Sequence, residues 1–415
     1  MNDKYKIHVL SNGVKLYLYP SDKLKRFYVK YVINYGSDGK WFNFKYKNKK
    51  YTVEPGVAHF LEHLLGEHSK NGNIYTNFSK KNYGRNGVTT YNKTFYYFEG
   101  IRNIKKSIKE LIEAIDIPVF TKEDVEHSRK AILEECKIDK NDYFYVMCGL
   151  LDRNIYNSYE KIHKSLSVIG NPETTNKIDY DMLKLCYDAF YYDENKYLLI
   201  AGNFDENKMI KFVESIYENI PKHEKKVKEI SYDLLPVRKR KEVIKMNITN
   251  PYVGLTFKEV LPRIYDKTLI QAYLMIYLYA KFSFSNKFIN KLLDKKIIEK
   301  KISDECSRNE NILLFTFKAY TKHKDKYIKE LIKELKKNDI TKKKFDLFKK
   351  TIISDIAFGR DNLYNDFKEF QDIIDYDYLV DELIFIKNLN YKDFIKFTRV
   401  LKFDNYIEVV IEPNN

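Results

Sequence analysis

Four cysteines in 415 residues are too few and too scattered to staple a fold. Cys136, Cys148, Cys186 and Cys306 show no C-x-x-C spacing, and none is matched with a nearby histidine. They read as free thiols of a reducing compartment. Long hydrophobic runs are missing as well. The strongly apolar stretch from Leu269 to Tyr279 falls well short of the ~20 residues that cross a bilayer. The opening Met1-Asn-Asp-Lys-Tyr-Lys is followed by no apolar segment of the kind a secretion signal needs. These absences set the expectation of a cytoplasmic protein with no disulfide framework and no membrane span.

What is present is globular. Hydrophobic residues make up 44% of the chain and aromatics are plentiful. The length suits two domains of roughly 200 residues each. The net charge of +16 raises the question of nucleic acid, since clustered Lys and Arg neutralise phosphates. Here the basic residues are mostly Lys, dispersed among Glu and Asp on stretches such as Lys322 to Lys344, in a chain also rich in Ile, Asn and Tyr. That pattern is a solvated helical face in a compositionally biased sequence, and no nucleic-acid partner is expected.

The most informative stretch is Gly56-Val-Ala-His-Phe-Leu-Glu-His-Leu-Leu65. His59, Glu62 and His63 spell H-x-x-E-H, the inverted zinc-peptidase motif. On a helix, positions i and i+4 share a face, so both imidazoles reach one ion while Glu62 projects toward the same site. Pro55-Gly56 supplies a breaker ahead of the run, and Ala58, Phe60, Leu61, Leu64 and Leu65 give it an apolar body. Three protein ligands leave a fourth position on zinc for water, whose pKa falls to about 7, and an adjacent carboxylate takes its proton. The third ligand is expected to be an acid on another helix. The run from Lys122 to Lys137, behind a Thr121 N-cap and with acids in its first turn, offers Glu134 or Glu135.

With these stretches, Asn86-Gly-Val-Thr-Thr-Tyr-Asn-Lys-Thr-Phe-Tyr-Tyr-Phe98 and Ala131-Ile-Leu-Glu-Glu135, the chain resembles the pitrilysin-type metallopeptidases. That family includes insulysin, the mitochondrial processing peptidase and short bacterial single-unit members. Specific motifs carry the resemblance through most of residues 1–220, and pattern alone carries it over 240–415. It implies one Zn2+ per chain held by His59, His63 and Glu135, with Glu62 as general base. The 72 residues from His63 to Glu135 fall slightly short of the commonest family spacing, which keeps Glu134 open as the alternative. Family members often carry a further Glu two helical turns before the ligand. Ser128 stands there, with Glu126 nearby, and losing an acid behind a ligand weakens metal binding. Asn86, Gly87, Val88 and Thr89 match the family strand that pairs with an extended substrate backbone, a mode that binds almost any peptide through its main chain.

Strands are expected at His8 to Leu10 and Val14 to Tyr19 around Asn12-Gly13, then at Phe27 to Tyr35, and as an aromatic hairpin of Trp41 to Tyr46 and Tyr51 to Val53. A strand pair spans Asn86 to Glu99. Helices follow at Lys105 to Ala114, Lys122 to Lys137 and Tyr180 to Phe190, then a strand at Lys196 to Gly202 and a helix at Glu206 to Tyr217. In the second half, strands are expected at Val243 to Ile248, Tyr252 to Phe257, Ile312 to Ala319 and Tyr406 to Ile411. Helices are expected there at Leu269 to Phe284, Lys326 to Lys337 and Lys342 to Ile356. The fold class is α+β, with two structurally related domains, each a mostly antiparallel sheet backed by helices. The resemblance makes this half of a clam-shaped peptidase chamber. Residues 1–220 form the zinc-binding catalytic domain, 221–242 a charged linker, and 243–415 a related domain without metal.

The family's second-domain motif Leu-Arg-x-x-x-Gly-Leu-x-Tyr, whose Arg and Tyr fix substrate, corresponds to Leu292-Leu-Asp-Lys-Lys-Ile-Ile-Glu-Lys300. Leu293 stands for the Arg and Lys300 for the Tyr. The resemblance therefore implies a homologous second subunit that supplies the missing pair, in a heterodimer rather than a homodimer. The expected function is a zinc-dependent endopeptidase hydrolysing short or unfolded peptides inside a two-subunit chamber. The alternative is a catalytically weak or inactive binding or assembly subunit of a peptide-processing complex.

Overall fold

The computed structural model describes residues 6–38, 41–102, 104–156, 168–230, 235–262, 267–283, 287–309, 311–360 and 382–414. They form two compact units, residues 6–149 with 168–230, and residues 150–156 with 235–414.

The first unit is built on β1 (Lys6–Val9), β2 (Lys15–Pro20), β3 (Phe27–Ile33), β6 (Gly84–Thr89), β7 (Thr94–Gly100) and β8 (Lys196–Gly202), in the order β1-β2-β8-β3-β7-β6. Every neighbouring pair is antiparallel except β2 with β8. All of β8, Lys-Tyr-Leu-Leu-Ile-Ala-Gly, is buried, as a continuous apolar run requires when both faces of a strand are covered. Its one charge is neutralised where it lies. Lys196 Nζ sits 2.7 Å from Asp116 Oδ1 and 2.9 Å from Asp193 Oδ1, and Tyr31 donates to the other Asp116 oxygen at 2.6 Å. An ammonium this deep persists only with such partners.

Helices α1 (Val57–Glu67), α2 (Ile74–Lys80), α3 (Ile104–Asp116), α4 (Lys122–Asn141) and the helix Tyr180–Phe190 back this sheet. They share one core that includes Leu16, Val29, Phe60, Leu64, Ile112 and Ile200. A separate small sheet in the order β5-β4-β9 contains β4 (Asn43–Tyr46), β5 (Lys49–Thr52) and β9 (Val227–Glu229). Lys47 and Asn48 turn its hairpin with φ of 48° and 64°, the doubly left-handed backbone that a tight two-residue β-turn demands.

The second unit repeats the plan. Strands β10 (Lys241–Met246), β11 (Tyr252–Val260), β12 (Ser303–Asn309), β13 (Ile312–Tyr320) and β14 (Tyr406–Pro413) run in the order β10-β14-β11-β13-β12. Its opening strand β10 is parallel to the closing strand β14, as β2 is to β8 in the first unit, and the other pairs are antiparallel. Helices Lys267–Phe282, Lys324–Leu335 and Lys342–Arg360 supply its backing, with Tyr273, Leu331 and Phe345 in a core separate from the first. The fold is thus α+β with two related, mostly antiparallel sheets.

Two features lie across the expected charged linker. Strand β9 sits inside residues 221–242 yet pairs with β4 of the first unit. The last turn of helix α5 (Tyr143–Ile155) belongs to the second unit, where Arg153 and Asn154 both reach Glu242 Oε2, at 2.6 and 2.7 Å. Residues 231–234 of that linker, and Phe284 at the end of one expected helix, lie outside the described residues.

Candidate metal centre

Helix α1 starts abruptly. Gly56 has φ 93°, and a β-carbon there would stand 2.6 Å from the Ile169 carbonyl oxygen, so only glycine permits this entry. The helix it opens is apolar almost all round and buries Val57, Ala58, Phe60, Leu61, Leu64 and Leu65. A helix buried on every side carries its polar residues inward, and His59 and Glu62 are buried with the rest. The imidazoles of His59 and His63 lie one turn apart, ring centroids 4.7 Å from each other.

Helix α4 brings the third group. Its inner face, Val125, Ile132 and Cys136, packs toward α1. Arg129 lies over the Phe60 ring, 5.5 Å from its centroid, and donates to the Ile178 carbonyl at 2.7 Å. This register turns Glu135 toward the histidines, with Oε2 3.4 Å from His59 Nε2 and Oε1 3.6 Å from His63 Nε2. Glu134 faces solvent, paired with Lys137 at 2.6 Å. Of the two acids left open by the residue pattern, the structure brings Glu135 to the site.

One ligand atom from each of His59, His63 and Glu135 lies within 4.8 Å of the others. Bonds of about 2.0–2.2 Å in tetrahedral geometry separate ligand atoms by ~3.3–3.5 Å, and the 3.4 and 3.6 Å from the imidazoles to the two Glu135 oxygens are of that size, so the residue set fits a zinc ion. Electrostatics agree. Burial pulls His63 down, but hydrogen bonds to Glu135 and Glu67 and the charge of Glu62 outweigh it, holding the imidazole up at about 10. Burial and then the neighbouring His63 push His59 down to about 3. Two imidazoles this close cannot both carry a proton, and the carboxylates around them favour a cation.

Glu62 lies beside this cluster, its Oε2 3.9 Å from His59 Nε2. Burial raises its carboxyl to about 7, against the charge of His63 and hydrogen bonds from Tyr75 and Thr89. Tyr75 Oη donates to Oε1 and Thr89 Oγ1 to Oε2, each at 3.3 Å. Strand β6 is the sheet edge beside α1. Because side chains alternate along a strand, Gly87 and Thr89 face Glu62 while Asn86 and Val88 take the opposite face. Gly87 is where it is because Glu62 and Tyr75 fill the space a side chain would need.

Two neighbours are absent from the sequence reading. Tyr75 comes from α2, a short helix with no strong periodicity. Glu67 follows His63 by four residues, and that spacing was its one available signal. Its Oε1 lies 3.1 Å from His63 Nδ1. Ser128, at the position where the family pattern has an acid, is buried and donates to Glu67 Oε2 at 3.1 Å. Glu126 is exposed and paired with Arg129. In the second unit, Leu293 packs against the core and Lys300 lies over the Tyr320 ring.

Residues 49–162 match the model of the insulinase family (peptidase family M16), and residues 177–352 match that of the M16 inactive domain. H-x-x-E-H and Glu135 fall in the first match. A zinc protease of Bacillus subtilis, YmfH, is 31% identical over 255 residues, 60% of this chain and 58% of that protein. The matched stretch thus spans little more than half of that relative. An M16-like peptidase from Alicyclobacillus acidocaldarius superposes with TM-score 0.87 at 21% identity, covering 100% of this chain and 99% of that one. The periplasmic protease PqqL of Escherichia coli gives 0.72 at 15% identity, with this chain covering 48% of its length.

Proposed function

This chain belongs to the pitrilysin-type M16 peptidase family, and from that premise we propose that it is a zinc-dependent endopeptidase acting on short or unfolded peptides. The observation that carries the reading is the convergence of His59, His63 and Glu135 around one point with the carboxylate of Glu62 beside it.

His59 Nε2, His63 Nε2 and a Glu135 oxygen would hold one zinc ion per chain. When bound, the ion supplies a Lewis acid that polarises a peptide carbonyl and acidifies water. The chain's own residues do the rest. Glu62 takes a proton from the attacking water and returns it to the leaving nitrogen as the C–N bond breaks. Tyr75 and Thr89 fix the two carboxylate oxygens. The free edge of β6 pairs with the extended backbone of the substrate, so affinity comes from main-chain hydrogen bonds and sequence preference from flanking pockets.

We place the working site in a chamber formed with a second, homologous subunit in a heterodimer. Leu293 and Lys300 offer neither the guanidinium nor the phenol that the family's second domain contributes. The four scattered cysteines, with no C-x-x-C spacing, are in keeping with a cytoplasmic setting.

The test measures metal and turnover separately. Purified protein should hold about one zinc per chain, and Glu62→Gln should keep the zinc while losing at least 100-fold in peptide cleavage, the scale of a lost general base. Near-normal turnover by Glu62→Gln would sink the mechanism. Zinc at full occupancy with no cleavage, even with a homologous subunit present, would favour a binding or assembly role instead.

A further inference from the structure

Behind His63 runs a chain of hydrogen bonds that the reaction itself does not use. His63 Nδ1 meets Glu67 Oε1 at 3.1 Å. Glu67 Oε2 accepts from Ser128 Oγ at 3.1 Å, and Ser128 Oγ lies 3.2 Å from His68 Nε2. His68 Nδ1 is 2.9 Å from Asp124 Oδ1. The far end is anchored by a reciprocal cap. Asp124 Oδ2 accepts from the Thr121 backbone N–H at 2.7 Å and from its hydroxyl at 2.9 Å, while Thr121 Oγ1 accepts from the Asp124 N–H at 3.3 Å. The path therefore begins at the first turn of α4, the helix that also carries Glu135, and ends on a ligand borne by α1.

Ser128, His68 and Asp124 have the composition of a hydrolytic triad, but they do not form a second active site. Ser128 is fully buried, and its one hydroxyl proton is donated to Glu67. No substrate reaches that oxygen and no proton is free to leave it. Among the described residues the cluster's hydrogen bonds lead to Glu67, and those of Glu67 to His63.

The two histidines are held differently. His59 is buried, and its Nδ1 has no hydrogen-bond partner among the described residues, so no acceptor behind the ring fixes it. His63 is held by a carboxylate at Nδ1. An imidazole turns about its ring torsion between broad, nearly equivalent orientations, and an acceptor at Nδ1 selects the one that turns Nε2 to the ion and raises its basicity.

We propose that Glu67 is a positioning residue for His63, and that Ser128 and Asp124 of helix α4, with His68 at the C-terminal end of α1, hold Glu67 in place. The acid that backs a ligand is thus supplied from the metal-binding helix itself, with Ser128 as its tether. This rests on the metal-site reading above and goes beyond it by assigning work to four residues outside the ligand set.

The test reads metal affinity, not activity. Zinc dissociation constants are measured by competition with a chromophoric chelator for wild type, Glu67→Gln, Ser128→Ala and, as a control on an exposed acid of the same helix, Glu126→Gln. The melting temperature of each metal-free form is recorded alongside. Glu67→Gln should weaken zinc by 10-fold to 100-fold, the range for lost partners of this kind. Ser128→Ala should weaken it about 3-fold to 10-fold, a single hydrogen bond's worth, and Glu126→Gln should match wild type. Unchanged metal-free melting temperatures would separate positioning from general destabilisation. Wild-type affinity in Glu67→Gln overturns the proposal. Wild-type affinity in Ser128→Ala overturns the tether and leaves Glu67 acting alone. A loss in Glu67→Gln upholds the proposal even if the protein cleaves no peptide, whereas a wild-type chain that binds no zinc overturns this inference and the peptidase reading together.

Discussion

Gly87 on the edge strand and Glu62 on helix α1 approach so closely that a β-carbon on Gly87 would lie 2.9 Å from Glu62 Cδ and overlap its Oε1. The glycine serves this approach, not a turn, because its φ lies outside the left-handed region. The atoms in the way are side-chain ends, those of Glu62 and Tyr75, so a methyl group would displace them before it disturbed the fold. Gly87→Ala should therefore keep zinc content and melting temperature while lowering kcat/KM about 100-fold, the scale set by ångström misplacement of a reacting group. Full activity in this variant would mean that the carboxylate position does not limit the reaction.

Glu135→Gln and Glu134→Gln should separate cleanly in elemental analysis. Glu135 lies between the two imidazoles, and Glu134 points to solvent against Lys137. Removing a charged ligand should strip most of the zinc, and removing an exposed ion pair should change little, since such pairs contribute at most about 1 kcal/mol. Equal zinc content in the two variants would overturn the ligand assignment.

The legible parts of this chain are those where one physical signal dominates. Strand Lys196–Gly202 and helices Tyr180–Phe190 and Glu206–Tyr217 have the boundaries read from the sequence, because an unbroken apolar run or a strong 3.6-residue period specifies them. Helix Val57–Glu67 was legible from the H-x-x-E-H spacing. Helix Ile74–Lys80 and strand Ser303–Asn309 were not. The first is seven residues with two buried side chains, and the second, Ser-Asp-Glu-Cys-Ser-Arg-Asn, is a polar edge strand formed only by pairing with β13. Tertiary context makes both, and no window of sequence contains it. Tyr75 was missed for the same reason, since it acquires its role from Glu62, which folding brings near; Glu67 had only its four-residue spacing from His63, and its contact with Ser128 is tertiary.

Acid should expose the clamp at Glu242. Burial would raise this carboxyl, but hydrogen bonds from Asn154, Arg153 and Lys239 and the charge of Arg153 outweigh it and bring it from an ordinary 4.5 down to about 2. A group whose pKa is depressed on folding adds stability above its unfolded value and loses it as pH falls through the folded one. Glu242→Gln should cost about 1–3 kcal/mol at neutral pH, the worth of hydrogen bonds to a charge. Urea titrations should show the gap from wild type narrowing below pH 4.5 and closing near 2. A gap that stayed constant down that range would show the ionised carboxylate to be irrelevant to the docking of residues 150–156 on the second unit.

Assembly gives the strongest test of how this chain works. Holding a substrate carbonyl in line with the attacking group is worth several orders of magnitude in rate, and fixed donors aimed at the charge that develops there add about 100-fold or more. On the proposed reading this chain supplies the base and the metal ligands, but Leu293 and Lys300 stand where such donors are expected, one packed in a core and the other lying over Tyr320. The isolated protein should therefore bind zinc normally and cleave model peptides slowly. A homologous chain that carries Arg and Tyr at those two positions should raise kcat at least 100-fold when mixed with it. Replacing that Arg or Tyr should abolish the gain without altering zinc on this chain, because the donors act on substrate and not on the metal site. Full activity from this protein alone, at its own oligomeric state by sedimentation, would show that the missing groups are supplied from within, and the two-protein chamber would have to be abandoned.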